Sequence, residues 1–286
     1  MDYAGIYINL DRRPDRRAEI ESELARHGLR DAYRRFSAVE GNGLSLSNPH
    51  LKDGEIGCFS SHTMLLQENL DQDMHLHVIE DDVIFSSSTA QAIHGIVAQG
   101  LFADYDILYT DVVVPLLNDA YKVYKSFYDA TVTRDESGRI VKVAFSVINL
   151  KGLIFGSTSS YLVNKKSIRK IHDMYHRELT SEPCQPIDLF VRKLCNEGAL
   201  KIGCLFPFVT SVQLDHIVET DIVRPYHEMS ALATHLARYS FFIDADFDQC
   251  QHYLDTYLPV PRSADQHAGI LAHLLAFSLT DGYRSF

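Results

Sequence analysis
The sequence predicts an α/β protein built on a mainly parallel sheet, with an inserted β-hairpin and a C-terminal helical extension. Three observations carry this. Short apolar, β-branched runs alternate with amphipathic stretches of helical spacing through residues 3–109. A Tyr- and Phe-rich stretch around the turn Asp135-Glu136-Ser137-Gly138 then breaks the alternation. Beyond Pro225 the pattern is helical, interrupted at Pro259 and Pro261. The expected division is a domain of residues 1–224 and an extension of residues 225–286.

Taken in order, residues 3–10 alternate as a strand, and Asp11 is placed to cap a helix with Pro14 in its first turn. That helix should stop at Gly28, a favoured residue for a left-handed helix end. Residues 35–39 read as a second strand and 41–50 as a turn-rich loop. With Asp53 as cap, the next helix carries Ile56, Phe59, Leu66 and Leu70 on one face. A buried strand over 74–79, a helix over 89–97 and a strand over 105–109 follow. Residues 121–133 and 140–150 are expected to form the hairpin. A short strand at 160–163 and helices at 165–176 and 187–196 complete the expected domain.

The chain of 286 residues is 46% hydrophobic and 23% charged, which is globular rather than disordered. A net charge of -11 argues against a nucleic-acid partner, which needs a basic face, and allows peripheral membrane contact at most. Five cysteines with no Cys-x-x-Cys pair predict reduced thiols. The absence of a leader-like segment and of a long apolar run predicts a cytoplasmic protein, with any membrane contact at the inner face.

The most informative residues are Glu80, Asp81 and Asp82, which interrupt the apolar run His77-Val78-Ile79 and Val83-Ile84-Phe85. Acids at the carboxyl end of a strand lie where open α/β sheets bind ligands. Their oxygens suit Mn²⁺ or Mg²⁺, ions that also hold substrate phosphates. Four further segments accompany them in order. They are Ile8-Asn9-Leu10-Asp11-Arg12-Arg13-Pro14-Asp15-Arg16-Arg17, Gly54-Glu55-Ile56-Gly57-Cys58-Phe59-Ser60-Ser61-His62, Phe155-Gly156-Ser157-Thr158-Ser159-Ser160-Tyr161 and Gln185-Pro186-Ile187-Asp188-Leu189.

Together these segments resemble glycosyltransferase family 25, which includes bacterial lipopolysaccharide and lipooligosaccharide galactosyltransferases and collagen galactosyltransferases. The resemblance implies a GT-A, Rossmann-like fold, a UDP-sugar donor with galactose as default, a divalent metal and inversion at the anomeric carbon. It places Asn9, Leu10, Arg12 and Arg16 at the donor, where amides, a helix N-terminus and guanidinium groups suit a pyrophosphate. Ala38 and Glu40 fall where the nucleoside is held, and Ser61 and His62 can reach the donor. Glu80 and Asp82 act as metal ligands and Asp81 as a ribose or metal-positioning group. Gly156 and Tyr161 form the sugar floor. Gln213 and His216 match a late Gln-x-x-His element, with His216 as third metal ligand and Asp215 as its substitute. Asp188 matches a Pro-x-Asp element and is the expected catalytic base, although a capping role serves the same position. Cys58 reads as packing.

The implied reaction moves a hexose to a hydroxyl of a glycan acceptor such as lipopolysaccharide, a protein side chain being second. UDP-glucose or an N-acetylhexosamine donor differs by small pocket changes. Two other classes fit parts of the pattern: a catalytically silent sugar-nucleotide or glycan-binding module, and a phosphohydrolase using Asp11 as nucleophile.

Overall fold
A computed structural model describes residues 3–42, 44, 51–131, 133–134, 136, 140–142, 144–214, 235–246, 248–249 and 252. Strand β1 (Tyr3–Asn9) leads through a tight turn into helix α1 (Pro14–Arg26), which ends at His27 with Gly28 at φ +67°. A short 3₁₀ turn (Arg30–Ala32) brings the chain back as β2 (Tyr33–Ser37), parallel to β1. Helix α2 (Asp53–Glu68) follows and lays Ile56, Phe59, Leu65 and Leu66 on the sheet. Then come β3 (His75–Glu80), β4 (Val83–Phe85), α3 (Thr89–Ala98) and β5 (Ile107–Tyr109).

Residues 121–131 are helical, not extended. They belong to α4 (Leu117–Thr131), so the expected hairpin shrinks to β6 (Thr133–Arg134) paired with β7 (Ile140–Lys142). Ala120, Val123 and Phe127 are buried at spacings of three and four, while Tyr121 and Tyr124 face solvent. That helical spacing prevails over the strand preference of the aromatic residues. The run expected as one strand over 140–150 is also interrupted, and its second half is β8 (Ser146–Asn149), at the sheet edge. Strand β9 (Ser160–Val163), helices α5 (Ile168–Leu179) and α6 (Ile187–Glu197), and strands β10 (Ile202–Phe206) and β11 (Thr210–Val212) complete the named elements.

The seven-stranded sheet runs β2-β1-β3-β9-β5-β10-β8. Strands β2, β1, β3, β5 and β10 are parallel, while β9 and β8 run against them. This is the mainly parallel, Rossmann-like sheet expected of a GT-A enzyme. One apolar cluster, including Phe59, Tyr109, Tyr161, Tyr175 and Phe190, fills the side covered by α2, α5 and α6. A second, including Tyr7, Ile20, Leu24, Ile93 and Phe102, fills the side of α1 and α3.

Two expected caps are assigned differently. Arg13 rather than Asp11 precedes α1, and Asp11 instead accepts hydrogen bonds from Arg35 Nη2 (2.5 Å) and Ser37 Oγ (2.8 Å). Lys52 rather than Asp53 precedes α2, and Glu55 folds back to accept the Lys52 amide at 3.1 Å. Of the extension, the described part is a helical turn at 235–239 followed by an isolated bridge between Phe208 and Phe242. Leu214, Tyr239 and Phe242 pack together as a third cluster.

Candidate active site
Strand β3 ends on Glu80, and the chain turns at Asp81 and Asp82 before starting β4. The turn opens into a cleft of about 310 Å³ at the carboxyl edge of β1, β2 and β3. Asn9 comes from the end of β1, Leu10 and Arg12 from the turn after it, Arg16 from the first turn of α1, Ala38 and Glu40 from the loop after β2, and Ser61 and His62 from α2. Sequence positions up to 73 residues apart thus meet around the three acids, as the parallel topology requires.

The wall between the 38–42 loop and α2 depends on two glycines. A Cβ on Gly57 would stand 2.6 Å from the Val39 carbonyl, and one on Gly41 1.7 Å from the Asp53 carbonyl. Ser61 locks the same contact, accepting the Val39 amide at 2.8 Å and donating to the Gly57 carbonyl at 2.7 Å. Across the mouth, Arg12 and Glu40 pair at 3.0 Å with both side chains about half exposed.

The three acids differ sharply. Asp81 accepts Asn9 Nδ2 at 2.7 Å and Arg16 Nη1 at 3.4 Å; burial nevertheless raises its pKa, with Asn9 and Arg16 opposing. Arg35 Nε donates to Asn9 Oδ1 at 3.0 Å and so fixes the amide that holds Asp81. Glu80 accepts the Thr158 hydroxyl at 2.7 Å and lies 3.4 Å from His62 Nε2. Burial works against its charge, but His62 and Thr158 outweigh that and its pKa is lowered. Asp82 is pushed up to about 7 by burial and by the charges of Glu80 and Asp81. Its Oδ1 is buried with no hydrogen-bond partner among the described residues.

An orphaned carboxylate oxygen beside a second carboxylate fits a hard divalent cation, which would supply the missing partner. Asp82 is therefore the best-placed ligand of the triplet. Glu80, expected to share that role, lines the same cleft and also contacts Thr158 and His62. His216 and Asp215 lie outside the described residues. Gln213 donates its backbone amide to the Asp82 carbonyl at 2.9 Å, pinning the acidic turn to β11, and its side chain is not in the cleft lining.

A smaller lobe of about 170 Å³ adjoins the first and shares Cys58 and Glu80 with it. Its other walls are Glu55, Ser157, Thr158, Pro186, Ile187 and Asp188. Asp188 stands in the first turn of α6, whose cap position is Pro186, and its Oδ1 accepts the Leu189 amide at 2.9 Å. Gly156 lies beneath it: a Cβ there would sit 3.0 Å from Asp188 Oδ2. Ser157 takes φ +86°, a conformation side-chain-bearing residues rarely adopt, and forms part of the wall between Gly156 and Thr158. Tyr161 is buried, with its hydroxyl 2.7 Å from His62 Nδ1, so it orients His62 from behind rather than lining either lobe. Asp11 lines neither lobe.

One buried group carried no sequence signal. Arg238, from the C-terminal helical turn, inserts beneath the acids and pairs with the fully buried Asp111, Nε to Oδ2 at 2.7 Å. It also contacts Ser159 Oγ, and its charge adds to the lowering at Glu80 and partly opposes the rise at Asp82. A lone arginine in a helical stretch has no motif around it. Only the fold reveals that it supplies positive charge to Asp111, Glu80 and Asp82.

An acidic turn lies at the carboxyl edge of a parallel sheet, with a guanidinium-bearing turn beside it and a carboxylate in an adjoining lobe. A family model described as Glycosyltransferase family 25 (LPS biosynthesis protein) matches residues 4–191. That is well over half of the chain, and the chain belongs to this family. No curated protein sequence matches significantly. Among solved structures, the apo form of mouse xyloside xylosyltransferase 1 is similar at 11% identity and a TM-score of 0.33, over 70% of this chain and 77% of that one. No helix among the described residues is long and apolar enough to cross a membrane.

Proposed function
We propose that the cleft is the active site of an inverting hexosyltransferase that uses a UDP-sugar donor, galactose by default, and a glycan hydroxyl acceptor. The observation that carries this reading is the pair of adjoining lobes, with the acidic turn in one and Asp188 in the other, which share Cys58 and Glu80 as lining. The lining of the larger lobe suits a nucleotide sugar: it includes Asn9, the first turn of α2 at Asp53 and Gly54, and the two arginines Arg12 and Arg16. The family description, with its reference to LPS biosynthesis, supports a surface glycan as acceptor.

In this reading Asn9, Arg12, Arg16, Ala38 and Glu40 hold the nucleotide, and Asp82, with Asp81 beside it, holds Mn²⁺ or Mg²⁺. When bound, the cation neutralises charge on the leaving diphosphate. Asp188 accepts the proton of the acceptor hydroxyl as that oxygen bonds to the anomeric carbon and the bond to the diphosphate breaks. Gly156 leaves room for the acceptor to approach the Asp188 carboxylate.

The test is UDP release from a panel of UDP-sugars, with Mn²⁺ and with chelator, for the wild type and Asp82→Ala. Slow cation-dependent turnover of one donor, lost in the variant, is expected. Donor binding without turnover against any glycan acceptor would favour a silent binding module, and no binding of any UDP-sugar would overturn the donor assignment.

A further inference from the structure
We infer that Cys58, His62 and Glu80 form a second cation site, selective for a thiophilic ion such as Zn²⁺, at the junction of the two lobes. Their ligand atoms all lie within 4.8 Å of one another. Cys58 and His62 stand one helical turn apart on α2 and so share a face, and Glu80 meets them from the end of β3. An ion about 2.0–2.3 Å from tetrahedral donors holds those donors roughly 3.3–3.8 Å apart. The His62 Nε2 to Glu80 Oε1 separation of 3.4 Å falls in that range.

The surroundings match what a metal site needs behind its ligands. Tyr161 Oη lies 2.7 Å from His62 Nδ1; with Nδ1 as the donor, the Nε2 lone pair faces Glu80 and Cys58. Thr158 donates to Glu80 Oε1 at 2.7 Å and lies 3.9 Å from Cys58 Sγ, steadying both. A thiolate, a carboxylate and a neutral imidazole sum to -2, which a dication cancels. On binding, the Cys58 thiol gives its proton to solvent as the metal–sulfur bond forms, with no change of oxidation state. The sulfur makes the choice of ion: thiolate favours Zn²⁺ over Mg²⁺ or Mn²⁺, whereas the all-oxygen Asp81–Asp82 turn favours the hard ions.

Three protein ligands leave a fourth position open to the cleft. An ion there occupies the one boundary the two lobes share. Given the hexosyltransferase reading, on which this consequence rests, Zn²⁺ separates donor from acceptor and inhibits transfer.

The test is titration of the full chain with Cd²⁺ under saturating Mg²⁺, followed by thiolate-to-cadmium charge-transfer absorption. One equivalent of Cd²⁺ should raise the band in the wild type, and Zn²⁺ should erase it. Cys58→Ser and Cys58→Ala should both lose it while melting like the wild type, and Tyr161→Phe should weaken the affinity about tenfold or more. No band in the wild type, or a band that persists in both Cys58 variants, overturns the site. Where a donor is turned over, Zn²⁺ should inhibit the wild type and spare Cys58→Ser. The absorption result stands whether or not turnover is found, so failure of the site and failure of the transferase reading are distinguishable.

Discussion

In the larger lobe most charges answer one another, Asp82 excepted. Asp81 is held by Asn9 and Arg16, Glu40 by Arg12, and Asn9 in turn by Arg35. In the smaller lobe Asp188 accepts the amide of its neighbour Leu189 and otherwise faces the space above Gly156. The first arrangement is a surface organised before a ligand arrives, so little reorganisation opposes binding. The second leaves a carboxylate available to take a proton. Binding and proton transfer are thus assigned to different lobes, and substitutions should separate them.

The strongest way to break that division is Asp188→Asn. The amide keeps the shape and loses the basicity, so kcat should fall about 10²- to 10⁴-fold, with donor affinity unchanged in a calorimetric titration. A parallel loss of donor affinity would place Asp188 in the binding surface instead. Next in size is Arg238→Met. It leaves Asp111 buried without its counter-charge and should cost about 3–5 kcal/mol in urea unfolding; Asp111→Asn added to it should recover part of that loss.

Acidification sharpens the contrast through Asp82. Its pKa of about 7 means that a proton competes with the cation below neutrality. The Mn²⁺ affinity, followed by the resonance signal of free Mn²⁺, should climb as pH rises towards 7 and level off above it. A flat profile from pH 5 to 8 would remove Asp82 from the ligand set.

Stability should move with pH for a different reason. His77 is fully buried, and burial lowers its pKa from 6.5 to about 3. The unfolded chain therefore takes up a proton at His77 before the folded chain does. Its contribution is fully present above pH 6.5 and is lost as pH falls towards 3, by at most about 1.4 kcal/mol per pH unit. Urea midpoints at pH 7.5 and 5 should show a drop that His77→Gln reduces. The smallest effect belongs to the rim. Breaking the Arg12–Glu40 pair with Arg12→Ala should change stability by less than about 1 kcal/mol, while weakening donor binding several-fold.

Much of the larger lobe was legible because its signals are local. A strand, a turn, a proline and a glycine stop define β1 and α1, and three acids closing an apolar run define the end of β3. The misreadings also have local causes. Tyr and Phe made 121–131 look extended, although Ala120, Val123 and Phe127 keep helical spacing. Strand β10 went unread because Ile202-Gly203-Cys204-Leu205-Phe206 is buried throughout and shows no alternation. Arg238 and the Tyr161–His62 contact were illegible for another reason: each joins residues 99 or more positions apart, or a cation and an acid 127 apart, with nothing in the chain between to mark the pairing.

Strand β10 lies beyond residue 191, where the match to the family model ends, yet in the sheet it sits between β5 and β8. The segment by which kinship is recognised is therefore shorter than the segment that closes the sheet. A chain cut at the last recognisable residue would bare the flank of β5 as an unpaired edge, the kind of surface that recruits other strands and precipitates. The length a family model recognises and the length the polypeptide needs to stay apart from its copies are, in this molecule, different.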